Sequence, residues 1–494
     1  MITAKKSPAR STEVRLYSEV YVPQTMPTAL GAFDMTMLFV MIMFFINNPV
    51  SSIGAGAASI LYWIIGALVF YIPCVVAATQ LGTMFPHEGS TYNWTHKALG
   101  GFWSLFATVS FWVPGLLGML GSASIAVSFL QGLNSHWLTA PWQQWLVLII
   151  IFAFAAVLSL QRLQTVKYVI NVTTLLTMGV VVLLGLAALW WLLSGHQAAT
   201  SFNQASNWRI DASGFPFLGS VILAYLGADV SLNLGGELAN RDIVKRHLGW
   251  GGTIVIIGYL VVTLALLVVL GPKHANDGPF AIITVVDQVF GRFMGDIAAI
   301  CVIAFFPVFV TLMNIAFGRL LMATSIDRRF PIGLARLNRH RVPKNAIIFQ
   351  TIVVMVAASI FYLLPYVIPL GDPATLSGTI FTVSLSSLTL VWAVSTAFMF
   401  IDLLVLYIRD RKGFLEKLIF PMPVLWLCII VAPLSCVAAI VLTLSYSGIP
   451  SMDNDTWRAV VSGMTVICLI AAAIGSMFAT SEAAWQDQVT EESS

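Results

Sequence analysis

Apolar positions along the chain fall into long continuous runs rather than into alternating segments of about ten residues such as barrel strands show. Twelve runs approach or exceed the roughly 20 residues that a helix needs to cross about 30 Å of hydrocarbon. They lie near 28–52, 57–82, 103–131, 143–160, 168–194, 214–236, 249–271, 294–325, 345–364, 377–406, 422–446 and 459–479. Within lipid only helices and closed barrels satisfy their own backbone, so the pattern predicts an all-α integral membrane protein with twelve transmembrane helices. An even number of spans puts both ends on one side.

Two runs are interrupted by residues that a membrane helix avoids. In the first, Phe44-Phe45-Ile46-Asn47-Asn48-Pro49-Val50-Ser51-Ser52 places two amides, a proline and two serines mid-run. Proline lacks an N–H and clashes with the preceding turn, and Asn48 before Pro49 is a good helix start, so one half-helix ends here and another begins. In the sixth, Leu223-Ala224-Tyr225-Leu226-Gly227-Ala228-Asp229 brings in a glycine and an acid. Either feature alone is equally a kink or a chance acid. Five spans apart, together they point to two five-helix repeats of inverted topology with a site at the breaks.

Charge fixes the orientation. Of the 25 Lys and Arg residues, 21 fall on one side of this topology, and only Arg209, Lys273, Arg292 and Arg458 fall on the other. Basic residues collect on the cytoplasmic side, which predicts a multi-pass protein of the cell (inner) membrane with both termini cytoplasmic. The first 27 residues hold four basic residues and three prolines without an apolar core, so they read as a cytoplasmic tail rather than a cleavable signal. The resulting organisation is a tail at 1–27, a first repeat at 28–194 and an extracytoplasmic loop at 195–212. A second repeat at 213–406, two more spans within 407–479 and a tail at 480–494 complete it.

Composition narrows the function. The chain is 58% hydrophobic and 10% charged, far below the roughly 25% charged residues of soluble proteins, which excludes an ordinary soluble enzyme. Its five cysteines lie in apolar runs without a CxxC pair and read as small hydrophobic side chains. The seven histidines sit in loops or at span ends, so neither a metal centre nor a proton relay across the bundle is expected, and no cofactor is implied. No basic tract suggests nucleic acid, and His87-Glu88-Gly89-Ser90 is not the HExxH of a metalloprotease. A membrane-embedded enzyme or a channel would be the alternative to a transporter, but the spans lack a polar catalytic cluster.

A specific motif follows the second run: His87-Glu88-Gly89-Ser90-Thr91-Tyr92-Asn93-Trp94, then Ala98-Leu99-Gly100. It is similar to the Gly-Gly-x-Tyr-x-Trp and Ala-Leu-Gly of the amino acid, polyamine and organocation transporter superfamily. Ala224 to Asp229, with Glu237 beyond, resembles its aromatic-x-Gly-x-Glu unwound segment, with aspartate in place of glutamate. Arg319, then Asp327 to Pro331, resembles its Arg…Asp-x-x-x-Pro loop. The usual Gly-Ser-Gly of span one is replaced by Asn47, Asn48 and Pro49. The resemblance implies the leucine-transporter type of five-plus-five inverted repeat and alternating-access transport of amino acids or related amines, as exchanger or proton-coupled symporter. Within the superfamily, the aromatic-rich break of span one and the Trp63 to Pro73 stretch are most like the bacterial glutamate and γ-aminobutyrate antiporters. A small-molecule substrate, the lipid bilayer and a monomeric or homodimeric state are implied with it.

Broken helices can hold a zwitterion from their own backbone. The N–H groups of Val50, Ser51 and Ser52 are the candidates for a substrate carboxylate, with the Ser51 hydroxyl beside them. The carbonyls of Ile46, Leu223 and Leu226 are candidates for its ammonium, and Gly227 would let substrate approach the backbone. Asp229 is the one acid placed inside the bundle, as proton carrier, ammonium ligand or helix cap. Asp34 and Asp402 sit near cytoplasmic span ends, where they could reach water or form gate salt bridges. Tyr225, Trp112, Phe305 and Phe306 either wall a pocket or simply pack. Motif spacing back from Pro331 places Met313 where relatives of the arginine and glutamate exchangers carry a gating tryptophan, which the resemblance turns into pocket candidates at Met313 and Asn314, and Gly115, Gly118 and Gly121 suit close helix packing.

Overall fold

The structure, a computed structural model, describes residues 16–26, 28–210, 214–367, 372–449 and 452–492. Lys5, Lys6, Arg10 and Arg15 of the expected tail, and positions 493–494, lie outside the described residues. Among those described, the regular structure is helical, and extended pairing is limited to two isolated β-bridges.

The segment expected as tail contributes α1 (Tyr17–Thr25), a short helix with Pro23 inside it. The first span is a bent pair, α2 (Ala32–Met43) and α3 (Asn48–Ser52), whose axis turns by 42° across the break. Its second half continues only as a 3-10 turn at Ile53–Ala55. The second span starts as α4 (Ala58–Gly66), passes through a π-helical turn at Ala67–Tyr71 and ends as α5 (Ile72–Met84). Pro73 explains that turn, because it has no N–H to offer the Val69 carbonyl four residues earlier. Ser435 Oγ donates to that carbonyl instead, at 2.8 Å.

The signature loop after this span folds as α6 (Ser90–Leu99), followed by α7 (Gly101–Leu133), α8 (Pro141–Ser159) and α9 (Leu163–Leu193). The sixth run, expected as a span at 214–236, is not a continuous helix. It holds α10 (Phe215–Ala224), a non-helical stretch, and 3-10 turns over Val230–Glu237 in which Leu234 departs from helical geometry. Gly227 makes the turn at φ 106°, a conformation that a side chain would strain. The remainder comprises α11 (Asp242–Val269), α12 (Ala281–Phe290), α13 (Arg292–Ile326), α14 (Lys344–Leu363), α15 (Pro373–Arg409), α16 (Arg411–Glu416), α17 (Met422–Ser445) and α18 (Asn454–Glu492).

Ten helical segments among the described residues are long and apolar enough to cross a membrane, and the bent pair makes eleven. The difference from twelve runs is the sixth, where a glycine and an acid cut the apolar helix to ten residues. The bundle is closely packed at its centre. A Cβ on Gly115 of α7 would collide with the Phe317 ring of α13, so this glycine does permit close helix approach. Gly118 and Gly121 differ, having only ordinary contacts because a cavity lies beside them.

Candidate functional site

A break in a membrane helix leaves amides and carbonyls that must find partners. At the first break one side chain serves three groups. Tyr259 of α11 donates its hydroxyl to the Met43 carbonyl (2.8 Å) and accepts from Phe45 N–H and Asn48 Nδ2 (3.2 Å each). Trp63 stacks on the Tyr259 ring at 4.2 Å and donates its indole N–H to Ser52 Oγ at 3.1 Å, so α4 and α11 clamp both sides of the break.

Between the broken spans lies a cavity of about 390 Å³. Phe45, Trp63, Phe309, Met313 and Trp392 give it apolar and aromatic walls, and Gly118 and Gly121 leave room opposite. Its described lining contains no charged side chain. Hydroxyls supply the polarity. Ser51, Ser52, Ser220 and Thr389 each donate to a carbonyl of their own helix at 2.7 to 3.2 Å, which leaves their oxygen lone pairs as acceptors, one of those on Ser52 being already taken by Trp63. Trp392 is the exception among these walls, since its indole Nε1 is buried without a hydrogen-bond partner.

The sequence candidates divide around this space. Asn48, Ser51, Ser52, Leu223, Leu226 and Met313 line the cavity, whereas Ile46, Asn47 and Val50 do not. Val50 N–H, one of the three amides expected to hold a carboxylate, already donates to the Asn47 carbonyl at 3.1 Å, and Asn48 N–H donates to the Phe45 carbonyl at 3.0 Å. The Leu223 carbonyl likewise accepts from Leu226 N–H. Tyr225 is buried behind the wall, stacked on Tyr71 at 4.6 Å. Gly227 faces the Trp392 ring rather than the cavity. Trp112 and Asn314 also lie outside it, joined through Gln350 of α14: Trp112 Nε1 donates to Gln350 Oε1 (3.4 Å) and Gln350 Nε2 to Asn314 Oδ1 (2.9 Å). Phe305 and Phe306 are buried in aromatic pairs with Phe45 and Phe129.

Asp229 sits at the second break, buried and apart from the cavity walls. It precedes the 3-10 turns and makes no side-chain cap bond to them. Instead, Thr91 Oγ1 of the signature loop donates to Asp229 Oδ2 at 2.7 Å, and Oδ1 has no hydrogen-bond partner. Ser90 Oγ lies within bonding distance of the Asp229 carbonyl (3.1 Å) and Asn233 Oδ1 (2.9 Å). The most specific sequence motif is therefore docked onto the break of span six.

Residues 30–470 match the family model described as amino acid permease. The chain belongs to the amino acid permease family. It is 24% identical over 355 residues to an uncharacterized transporter of Legionella pneumophila, a match covering 68% of this chain and 74% of the relative. With the inner membrane transporter YjeM of Escherichia coli it shares 23% identity over 244 residues, 45% of this chain and 48% of YjeM. The probable agmatine/putrescine antiporter AguD of Lactococcus lactis is 22% identical over 217 residues, 43% of this chain and 45% of AguD. The permease is thus a multi-pass membrane transporter and not an enzyme.

On its Lys- and Arg-rich face the permease is tied together by polar contacts that hydropathy could not reveal. In α1, Ser18 donates from N–H and Oγ to the two carboxylate oxygens of Asp327 (2.8 and 2.7 Å). Glu19 meets Lys97 at 2.8 Å and Asn93 at 3.0 Å, both from α6. Burial pushes the Glu19 carboxyl up, but the Lys97 and Asn93 hydrogen bonds and the Lys97 charge outweigh it and hold it below the usual value. Asp34 does form a salt bridge, to Lys167 at 2.9 Å. Asp402 does not: it is fully buried and accepts from Thr95 Oγ1 at 2.7 Å.

Nor is Asp229 the one buried acid of the permease. Glu88 and Glu237 are buried as well, Glu237 in an ion pair with the buried Arg319. Glu88 has no hydrogen-bond partner on either oxygen and rests against Gly236, where a Cβ would come within 2.9 Å of its Cγ. Burial and then the neighbouring Glu237 charge push the Glu88 carboxyl well above the usual range, against the opposing pull of Arg319. The signal available in the sequence was the pairing of two motif acids with one motif arginine.

Proposed function

We propose that the permease is a secondary active transporter that works by alternating access and carries zwitterionic amino acids with apolar or aromatic side chains. The reading includes twelve spans, inverted repeats at 28–194 and 213–406, and cytoplasmic termini in a cell (inner) membrane. Its main support is the uncharged cavity of about 390 Å³ between the two broken spans. Hydroxyl lone pairs suit an ammonium, and the carboxylate is assigned to Trp392 Nε1, a covered donor of a wall residue that gains an acceptor once the ring turns towards the cavity, since a buried donor without an acceptor is costly until a ligand supplies one. Aromatic and methionine walls suit an apolar side chain. Agmatine and putrescine, in the name of the Lactococcus relative, are cations. A desolvated dication among walls that offer no acidic group would be uncompensated, which favours zwitterions for this cavity.

Asp229 is assigned as the proton carrier. It lies outside the cavity walls, which speaks against direct ammonium binding, and its partner Thr91 belongs to the loop docked on the break. Uptake of labelled leucine, phenylalanine, glutamate and putrescine into proteoliposomes, with and without internal substrate and a pH gradient, tests the reading. Saturable uptake of the apolar amino acids supports it, and preference for putrescine defeats the substrate class.

A further inference from the structure

A second cavity, of about 260 Å³, opens where the loop between α8 and α9 meets the loop before α14. Arg162, Arg319, Arg339, His340 and Arg341 contribute to its lining, and the described lining contains no acidic side chain. One of these charges is already neutralised, because Arg319 is paired with Glu237. Three guanidinium groups remain. Arg162 Nε lies 3.4 Å from His340 Nδ1 and Arg339 Nε lies 3.2 Å from His340 Nε2. A neutral imidazole can accept at only one nitrogen, so no accessible protonation state of His340 satisfies both guanidinium groups. The arrangement gathers positive charge and more hydrogen-bond donors than its internal acceptors, one His340 nitrogen and the Thr25 carbonyl that takes Arg341, can serve.

The pocket is held in shape by the chain around it. Asn338 accepts from His340 N–H (2.8 Å) and Val342 N–H (3.1 Å) through Oδ1, and its Nδ2 donates to the Leu160 carbonyl at the end of α8 (2.9 Å). Both sides of the pocket are therefore tied together before any ligand arrives. Its surroundings point to lipid. Phe154 and Val157 on α8, and Tyr168 and Val172 on α9, are exposed apolar residues of membrane helices flanking Arg162. Basic pockets between membrane helices on the cytoplasmic side accept anionic headgroups, and planar guanidinium groups match phosphate oxygens in pairs.

We propose that this pocket binds the phosphate headgroup of an anionic membrane lipid, whose acyl chains lie along the exposed faces of α8 and α9. The site is separate from the transport cavity and independent of its substrate. Its floor nevertheless reaches the broken sixth span through the Arg319–Glu237 pair, and Arg341 donates to the Thr25 carbonyl of α1 at 3.1 Å. Headgroup occupancy therefore braces the same face that α1 covers.

Native mass spectrometry of the full-length protein in a neutral detergent, titrated with phosphatidylglycerol, tests the proposal. The variant Arg162→Gln/Arg339→Gln should bind about 30-fold more weakly, about five-fold for each charge removed. Lys245→Gln/Arg246→Gln, with the same charge change at an exposed site elsewhere, should retain wild-type binding. Phosphatidylcholine should not compete. Equal loss in both double variants, or loss in neither, overturns the proposal, and displacement of the lipid by millimolar inorganic phosphate would assign the pocket to a free anion instead. Arg339→Gln alone, at an exposed position, gives the same reading at about five-fold should the double variant fail to fold.

Discussion

Tyr259 and Asn48 meet across the first break, hydroxyl to side-chain amide at 3.2 Å, and the same hydroxyl satisfies a backbone donor and a backbone carbonyl of that break. A single side chain of α11 thereby allows the first span to be discontinuous in a membrane. This ties the geometry of the cavity to a residue that does not line it.

Tyr259→Phe keeps the ring stack on Trp63 but removes all three bonds. Each buried group left unpaired costs about 1–3 kcal/mol, so the variant should unfold at a lower temperature and transport poorly. Thermal unfolding in detergent together with proteoliposome uptake checks this. Unchanged stability and uptake would show that the break does not depend on Tyr259.

Trp392→Phe probes the carboxylate. A hydrogen bond to a charged group contributes about 1.5–3 kcal/mol, so affinity for an amino acid should fall about ten- to a hundred-fold. The matching decarboxylated amine cannot use this donor, and its weaker binding should be unaffected. Competition assays with phenylalanine and phenethylamine separate the two, and an equal loss for both ligands would leave Trp392 as a wall only.

Glu88 makes a prediction about pH. A carboxyl whose folded pKa stands above its ordinary 4.5 holds more proton in the folded state, so its contribution weakens stability as pH rises from 4.5 towards the raised folded value. Glu88→Gln keeps the shape without an ionisable group. The variant should be more stable than wild type at neutral pH and should lose that advantage near pH 4. Parallel melting curves from pH 4 to 8 would show that Glu88 is not the group responsible.

Legibility in the sequence followed the range of the interaction. Asn-Pro and Gly-x-Asp inside apolar runs are local departures from helix chemistry, and the regular helix stops at both places. Tyr259 lies 211 positions from Asn48, and a tyrosine in an apolar run carries no mark of its partner. The same holds for Thr91 with Asp229 and for Thr95 with Asp402, where a polar-looking motif loop turns out to be buried. The Val50 N–H is engaged for a reason of length that the sequence does not show: in a half-helix of five residues it donates to the Asn47 carbonyl just before the helix. α1 was invisible to hydropathy because Ser18 and Glu19 hold it by polar contacts.

Asp229 offers the sharpest test of mechanism. With no cap bond to lose, Asp229→Asn can keep the Thr91 contact, because the amide oxygen still accepts from Thr91 Oγ1, while the side chain can no longer take up a proton. A proton carrier then predicts that uptake loses its pH dependence and its response to an imposed pH gradient, while exchange of labelled for unlabelled amino acid across the same vesicles continues. Thr91→Val separates proton carriage from docking of the signature loop. It leaves the carboxyl intact but removes its donor, so the pH profile should shift rather than flatten. A full pH profile for both variants decides between the roles, and an Asp229→Asn profile identical to wild type would remove Asp229 from coupling and leave it as the residue that fastens the signature loop to the broken sixth span.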